Sequence, residues 1–194
     1  MNDKQILSAF RKSGAIRSGH FQLTSGRHSD TYIQCARVLE DPALTTKLAR
    51  EMVSRLPDNL QTDFVIAPAV GGIIIGFAVA QAQKKGKGLP FVFSERQDGV
   101  MVLRRAFEIP ATARVLVVED VVTTGGSIQE VIKLVDQADA TVAGVTALID
   151  RGGKKAFTAP YYPLLQMQVD SWLPEDCAQC AKGIPLDSPG SRRL

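Results

Sequence analysis

Two acids in succession, Glu119 and Asp120, stand between an apolar run and a turn rich in hydroxyls and glycine: Val115-Leu-Val-Val-Glu-Asp-Val-Val-Thr-Thr-Gly-Gly-Ser127. The run into the acids reads as a buried strand, and Ser127 opens a helix with Ile128, Val131 and Val135 on one side. The first turn of such a helix carries unpaired N–H groups and partial positive charge. Gly125 and Gly126 let the backbone curl round an anion, and Thr123, Thr124 and Ser127 add hydroxyl donors. This is a phosphate cradle at the carboxyl end of a strand, where open α/β sheets bind ligands. Neither G-x-x-x-x-G-K nor G-x-G-x-x-G occurs in it, so it is neither a P-loop nor a dinucleotide fingerprint. Two carboxylates repel a phosphate unless they face something else. Ribose hydroxyls, a magnesium ion, or positive charge developing on a sugar carbon would each suit them. The cradle and the acid pair together read as a site for a ribose 5-phosphate.

Around that site the chain reads as an ordinary globular protein. Its 194 residues suffice for one domain with a buried core, and 45% hydrophobic with 22% charged residues excludes disorder. A net charge of +3, spread along the chain, does not call for a nucleic-acid partner and suits a polyanionic substrate. Residues 1–14 lack a long apolar core after a basic start, so no secretory leader is expected. The most apolar stretch, Phe64 to Ala82, is interrupted by Pro68, Gly71, Gly72 and Gly76, which is wrong for a spanning helix. No membrane association and a cytoplasmic location are expected. Three cysteines, Cys35, Cys177 and Cys180, argue against a disulfide framework. Zinc needs about four ligands, and the only histidines, His20 and His28, are remote in sequence. The Cys177/Cys180 pair therefore reads as incidental.

The elements that position the site follow from periodicity. Asn2 to Phe10 fits a short helix. Asp41-Pro42 starts another, with Leu44, Leu48 and Met52 recurring every four residues until Pro57. Phe64 to Ala67 reads as a strand, Pro68 to Gly72 as a turn and Ile73 to Gln83 as a helix. Leu89 to Phe93 is predicted to be a strand. Glu95 to Glu108 follows as an exposed loop or hairpin turning at Asp98-Gly99. Arg114 to Val118, Ser127 to Val135 and Thr141 to Ile149 read as strand, helix and strand. The alternation predicts an α/β fold with a parallel sheet, after a helix-rich part before about residue 60. The tail from Pro185 is expected to be loosely held.

The segment Glu119 to Ser127 resembles the phosphoribosyl pyrophosphate motif of the type I phosphoribosyltransferases. Four further stretches resemble the orotate branch of that family in its shorter bacterial and archaeal form. They are Gly19 to Tyr32, Ala67 to Ile73, Ser94 to Gly99 with Leu103 to Phe107, and Ile149 to Gly152. The resemblance implies a single domain over residues 1–194, a central parallel sheet flanked by helices. It also implies a small hood, built mainly from about residues 1–40 and the C-terminal part. The activity implied is transfer of ribose 5-phosphate from phosphoribosyl pyrophosphate to orotate. The products are orotidine 5′-monophosphate and pyrophosphate, a step of pyrimidine (UMP) biosynthesis. Magnesium would accompany the pyrophosphate through substrate and water, and a homodimer is implied.

Carried over by position, Glu119, Asp120, Val121, Val122, Thr123, Thr124, Gly125, Gly126 and Ser127 would bind the ribose phosphate. Thr123 and Arg151 would contact orotate, the guanidinium of Arg151 suiting a carboxylate. Thr24 to Arg27, Tyr32 and Ile33 would form part of the base pocket. Ala69, Val70, Gly71 and Gly72 resemble the pyrophosphate loop, where the family often has a cis peptide. Glu95 to Arg105 resembles the mobile loop that reaches the partner subunit's site. Many members carry lysines in both loops and at the position of Thr24. Their absence leaves Arg96, Arg104 and Arg105 as the cations available for pyrophosphate. His20 and His28 are expected only to hydrogen-bond near the pocket. A transferase for another base would share the phosphate loop but has no use for the hood or Arg151. A phosphoribosyl pyrophosphate-sensing regulator would need a DNA-binding domain or a basic face, and the sequence has neither.

Overall fold

The computed structural model describes residues 1–23, 25–152 and 155–189. Thr24, expected in the base pocket, lies outside them.

The chain opens with helix α1 (Asp3–Lys12), started by a reciprocal cap. The Asn2 side chain accepts from the Gln5 N–H, and the Gln5 side chain accepts from the Asn2 N–H. Strands β1 (Ile16–Gln22) and β2 (His28–Ile33) then pair antiparallel as a separate hairpin. The part before residue 60 is thus not only helical as predicted. A bulge between Ser18 and Phe21 breaks the alternation that would have marked β1. The short helix α2 (Ala36–Leu39) leads to α3 (Pro42–Ser54). Asp41 caps α3 through the N–H groups of Ala43 and Leu44, at 2.9 and 3.1 Å.

The main sheet holds β3 (Phe64–Pro68), β4 (Phe91–Gln97), β5 (Val100–Leu103), β6 (Arg114–Val122), β7 (Thr141–Asp150) and β8 (Tyr161–Gln166). Its order is β5-β4-β3-β6-β7-β8. All neighbours are parallel except β4 and β5, which form the antiparallel hairpin expected around Asp98-Gly99. The sheet is therefore mixed, not wholly parallel. β4 starts at Phe91, later than predicted, because Pro90 has no N–H to give the ladder. Helix α4 (Gly71–Gly86) joins β3 to β4, and α5 (Gly126–Gln137) joins β6 to β7. α4 begins two residues earlier than predicted, inside the stretch read as a turn. Among the described residues no helix is long and apolar enough to cross a membrane.

Alternation along β6 builds two cores. Leu116 and Val118 face one side, with Leu48 and Met52 of α3, Ile75 and Val79 of α4, and Ile6 and Phe10 of α1. Val115 and Val117 face the other, with Ile128, Val131 and Val135 of α5.

The last described residues return to the hairpin. After β8 come a 3-10 turn (Pro174–Asp176) and the short helix α6 (Ala178–Ala181). Trp172 bridges to His28 on the outer edge of β2, and Asp187 bridges to Phe21 on the outer edge of β1. The Asp187 carbonyl accepts from the Gln22 N–H at 2.9 Å, and its N–H donates to the His20 carbonyl at 2.8 Å. Asp187 also pairs with Arg17 at 3.1 Å. The expectation of a loose tail from Pro185 is corrected as far as Ser188, whose hydroxyl bonds Gln22. These contacts are mostly to backbone, which any sequence can offer.

Leu116 is fully buried in the centre of the sheet. Leu116→Ala is expected to lower unfolding stability by about 2–5 kcal/mol, read from denaturant titration.

Candidate active site

The acid pair lies inside β6 rather than after it, since the strand continues through Val122. Val121 and Val122 pair with Ile149 and Asp150 of β7. Glu119 is therefore held on a buried strand, 8% exposed. Burial, followed by the neighbouring Asp120, pushes its carboxyl well above the usual carboxylate range. The Glu119 carboxylate accepts from the Asp120 N–H at 3.0 Å, and Asp120 accepts from the Val121 N–H at 2.8 Å.

Both acids lie over the start of α4. A Cβ at Gly71 would stand 2.3 Å from Asp120 Oδ2, and one at Gly72 would stand 3.4 Å from Glu119 Oε1. The glycines let the positive end of α4 approach the carboxylates. The peptide between Ala69 and Val70 is cis, as the family resemblance implied. The Ala69 N–H is held by the Ser94 carbonyl at 2.7 Å.

After β6 the chain turns through Gly125, whose φ of 82° is left-handed and which has no side-chain cap. A Cβ there would meet the Phe157 ring at 2.5 Å, so the turn needs glycine for space as well as conformation. The free N–H groups at the start of α5 face a pocket of about 50 Å³. Glu119, Val121, Val122, Thr123, Gly125, Gly126 and Ser127 line it, together with Ile128. The predicted loop is thus brought together, except Asp120 and Thr124, which do not line the pocket.

Lys155 was not singled out from the sequence. Its ammonium donates to the Thr123 carbonyl at 2.9 Å, the Gly152 carbonyl at 2.7 Å and the Asp150 carboxylate. It fastens the phosphate loop to the end of β7. The Ala156 N–H adds a bond to the Thr124 carbonyl at 2.7 Å. Only the return of the chain beside β6 reveals these contacts. Beneath the acids, Cys35 lies 3.8 Å from the Asp120 carbonyl, and burial followed by Asp120 and Glu119 pushes its thiol up.

Arg151 follows β7, and its N–H bonds the Val122 carbonyl at 2.9 Å. Its Nε is buried without a hydrogen-bond partner among the described residues. Burial lowers the guanidinium's pKa, with Tyr32 partly opposing. Tyr32 packs on Phe21, ring centroids 5.6 Å apart, and the half-buried Ile33 packs against the core. Arg27 of the hood turn instead bonds the Ser171 hydroxyl and carbonyl at 2.9 and 2.6 Å.

The arginines of the β4–β5 hairpin are not brought to this pocket. Arg96 pairs with Glu130 of α5 at 2.6 Å, and Arg105 pairs with Glu95 while lying over the Phe93 ring. Arg104 is exposed and makes no ion pair among the described residues. Cys177 and Cys180, read as an incidental pair because the histidines are remote in sequence, lie close to His20 and His28. The hairpin and the returning C-terminal segment bring together residues some 150 positions apart.

A mainly parallel mixed sheet with an acid pair and a glycine turn at a central strand's carboxyl end fits a phosphoribosyl transferase domain, and the family model of that description matches residues 36–174. The orotate phosphoribosyltransferase of Chlorobium phaeobacteroides is 46% identical over 195 aligned residues, covering 100% of this chain and 98% of that one. The chain belongs to the orotate phosphoribosyltransferase family. Among solved structures, the orotate phosphoribosyltransferase of Aeropyrum pernix matches with a TM-score of 0.70 at 24% identity, covering 83% of this chain and 93% of that one. The adenine phosphoribosyltransferase of Thermoanaerobacter pseudethanolicus matches with a TM-score of 0.58 at 20% identity, covering 71% and 88%. These two likenesses concern the fold alone.

Glu119 supplies a pH signature. Its folded pKa is raised above the unfolded value of about 4.3. The stability this group contributes is complete below the unfolded value and is lost as pH rises through the folded one. Glu119→Gln is expected to gain stability over the wild type across that interval and then hold a constant margin. Denaturant unfolding at several pH values, without magnesium or ligand, checks this.

Proposed function

We propose that the chain transfers ribose 5-phosphate from phosphoribosyl pyrophosphate to orotate at the pocket between β6 and α5. The observation that carries the base assignment is Arg151: a half-buried side chain whose buried Nε–H has no hydrogen-bond partner among the described residues, within electrostatic reach of Tyr32 of the hood and bonded through its backbone to Val122. A buried donor without a partner is costly, and a planar carboxylate such as that of orotate would relieve it. Fold likeness cannot carry this assignment, because adenine phosphoribosyltransferase shares the fold.

In this reading the 5-phosphate sits on the free N–H groups of Gly126 and Ser127 and the hydroxyls around them. Glu119 and Asp120 take the ribose hydroxyls. The orotate ring nitrogen, giving up its proton to pyrophosphate or water, bonds to the anomeric carbon as that carbon's bond to pyrophosphate breaks, and the electron pair leaves with pyrophosphate. Positive charge on the sugar then meets two carboxylates held in place before reaction. The acid pair and sugar hydroxyls are hard oxygen donors, the kind magnesium takes. Magnesium, held through substrate oxygens and water, would neutralise charge on the pyrophosphate.

The N-terminal part shares one core with the sheet, since Ile6, Phe10 and Ile16 belong to the same cluster as Leu116 and Leu148. This supports one domain over the whole chain, with the β1–β2 hairpin and the C-terminal segment as the hood. A homodimer is supported by an apolar stripe at the start of α4: Val70, Ile74 and Phe77 are 82%, 52% and 59% exposed. Arg104, exposed and outside the ion pairs of the described residues, is the hairpin cation best placed to serve a partner's site. A cytoplasmic location fits this activity.

Mixed with magnesium, phosphoribosyl pyrophosphate and orotate, the protein is expected to consume orotate's ultraviolet absorbance and release pyrophosphate. Asp120→Asn should be slower by about 10²-fold. Arg151→Ala should cost about 10–100-fold in kcat/KM for orotate while leaving the affinity for phosphoribosyl pyrophosphate unchanged. Consumption of another base in place of orotate would overturn the base assignment and spare the phosphate site. In sedimentation the wild type is expected as a dimer and Phe77→Glu as a monomer with reduced activity. A wild type that sediments as an active monomer would refute the dimer.

A further inference from the structure

Away from the ribose-phosphate pocket, four side chains from the two ends of the chain converge. His20 comes from β1, His28 from the start of β2, Cys177 from the residue before α6, and Cys180 from α6 itself. One ligand atom of each lies within 4.8 Å of all the others. His20 Nε2 stands 3.1 Å from His28 Nδ1, 3.4 Å from Cys177 Sγ and 3.6 Å from Cys180 Sγ. His28 Nδ1 stands 3.2 Å from Cys180 Sγ. His20, His28 and Cys177 are buried, and Cys180 is open to solvent.

Hydrogen bonds do not account for this crowding. An imidazole nitrogen is a single donor or a single acceptor, yet His20 Nε2 has three polar neighbours. A cation among them would account for it. Tetrahedral zinc, with bonds of about 2.0–2.1 Å to nitrogen and about 2.3 Å to sulfur, spaces its ligands about 3.3–3.8 Å apart. The four separations of 3.1 to 3.6 Å lie within a few tenths of an ångström of that range, and the other pairs, within 4.8 Å, would close by a small side-chain movement on binding. His20 is also held for the purpose: its Nδ1 lies 2.8 Å from the Ile184 carbonyl. With Nδ1–H donating there, the lone pair of Nε2 points into the cluster, the outer-shell arrangement of zinc-bound histidines. The pair Cys177-x-x-Cys180 has the spacing of zinc sites built from two cysteines and two histidines.

We propose that His20, His28, Cys177 and Cys180 form a tetrahedral zinc site that fastens the C-terminal segment to the hood. Four protein ligands leave no position for water or substrate, so the role is structural. The site stands beside the other ties between the same two parts, Arg27 with Ser171 and Asp187 with β1. It holds the hairpin that carries Tyr32.

The test uses the full chain, purified reduced and without chelators. Elemental analysis is expected to find about one zinc per chain. Stripping the wild type with a chelator under reducing conditions should lower its thermal midpoint, and zinc should restore it. Cobalt added to the stripped protein should give the intense visible bands of a tetrahedral ion with thiolate-to-metal charge transfer. Cys177→Ser/Cys180→Ser should lose both the zinc and the charge-transfer bands. Three results would overturn the proposal: a reduced wild type that takes up neither zinc nor cobalt, a six-coordinate cobalt spectrum without charge transfer, or a double variant that keeps its metal. The cobalt spectrum of the wild type decides the matter even if the variant does not fold.

Discussion

A carboxylate on a buried strand is expensive, and β6 carries the buried Glu119 followed at once by the half-buried Asp120. Neither can be moved to solvent without breaking the pairing of Val121 and Val122 with β7. The surroundings offset the charge from two helix ends. α4 begins against the acids, with Gly71 and Gly72 keeping side chains out of the gap. α5 begins just beyond them, with its free N–H groups lining the pocket. What remains uncompensated is Glu119, whose carboxyl is displaced upward by burial and by Asp120. Such a group is poised to gain from a partner with positive charge or hydroxyl donors.

The same constraint explains the second ring of contacts. Lys155 ties Thr123 to Asp150 and Gly152, so the phosphate loop keeps its distance from the end of β7, where Arg151 begins. Phe157 fills the space that a side chain at Gly125 would need. The turn before α5 and the end of β7 are thus set by one connected frame. That is the preorganisation a reaction with little covalent work for the enzyme depends on.

Much of this was legible in the sequence where local pattern and tertiary role agree. The apolar run of β6, the Thr-Thr-Gly-Gly-Ser turn and the stripe Ile128, Val131, Val135 are contiguous, and each reports its own environment. Asp41-Pro42 marked α3 because capping is a local interaction. The illegible parts depend on distant chain. β1 loses its alternation at a bulge, and β8 carries Pro163, tolerable only because β8 is an edge strand. The tail is held largely by backbone hydrogen bonds, which leave no mark on residue choice. Lys155 and the pairing of His20 and His28 with Cys177 and Cys180 exist only once the chain has folded back.

The closing of the hood by the C-terminal segment also orders events in time. The main sheet from β3 to β8 is complete when Gln166 has been made. The outer edges of β1 and β2 must wait for Trp172 and Asp187, which follow the whole main sheet in the chain. On the ribosome the pocket between β6 and α5 can therefore take shape while the edges of the β1–β2 hairpin are still open. The hairpin edges stay unpaired until those residues emerge, and a chain interrupted before Trp172 would expose them to other strands.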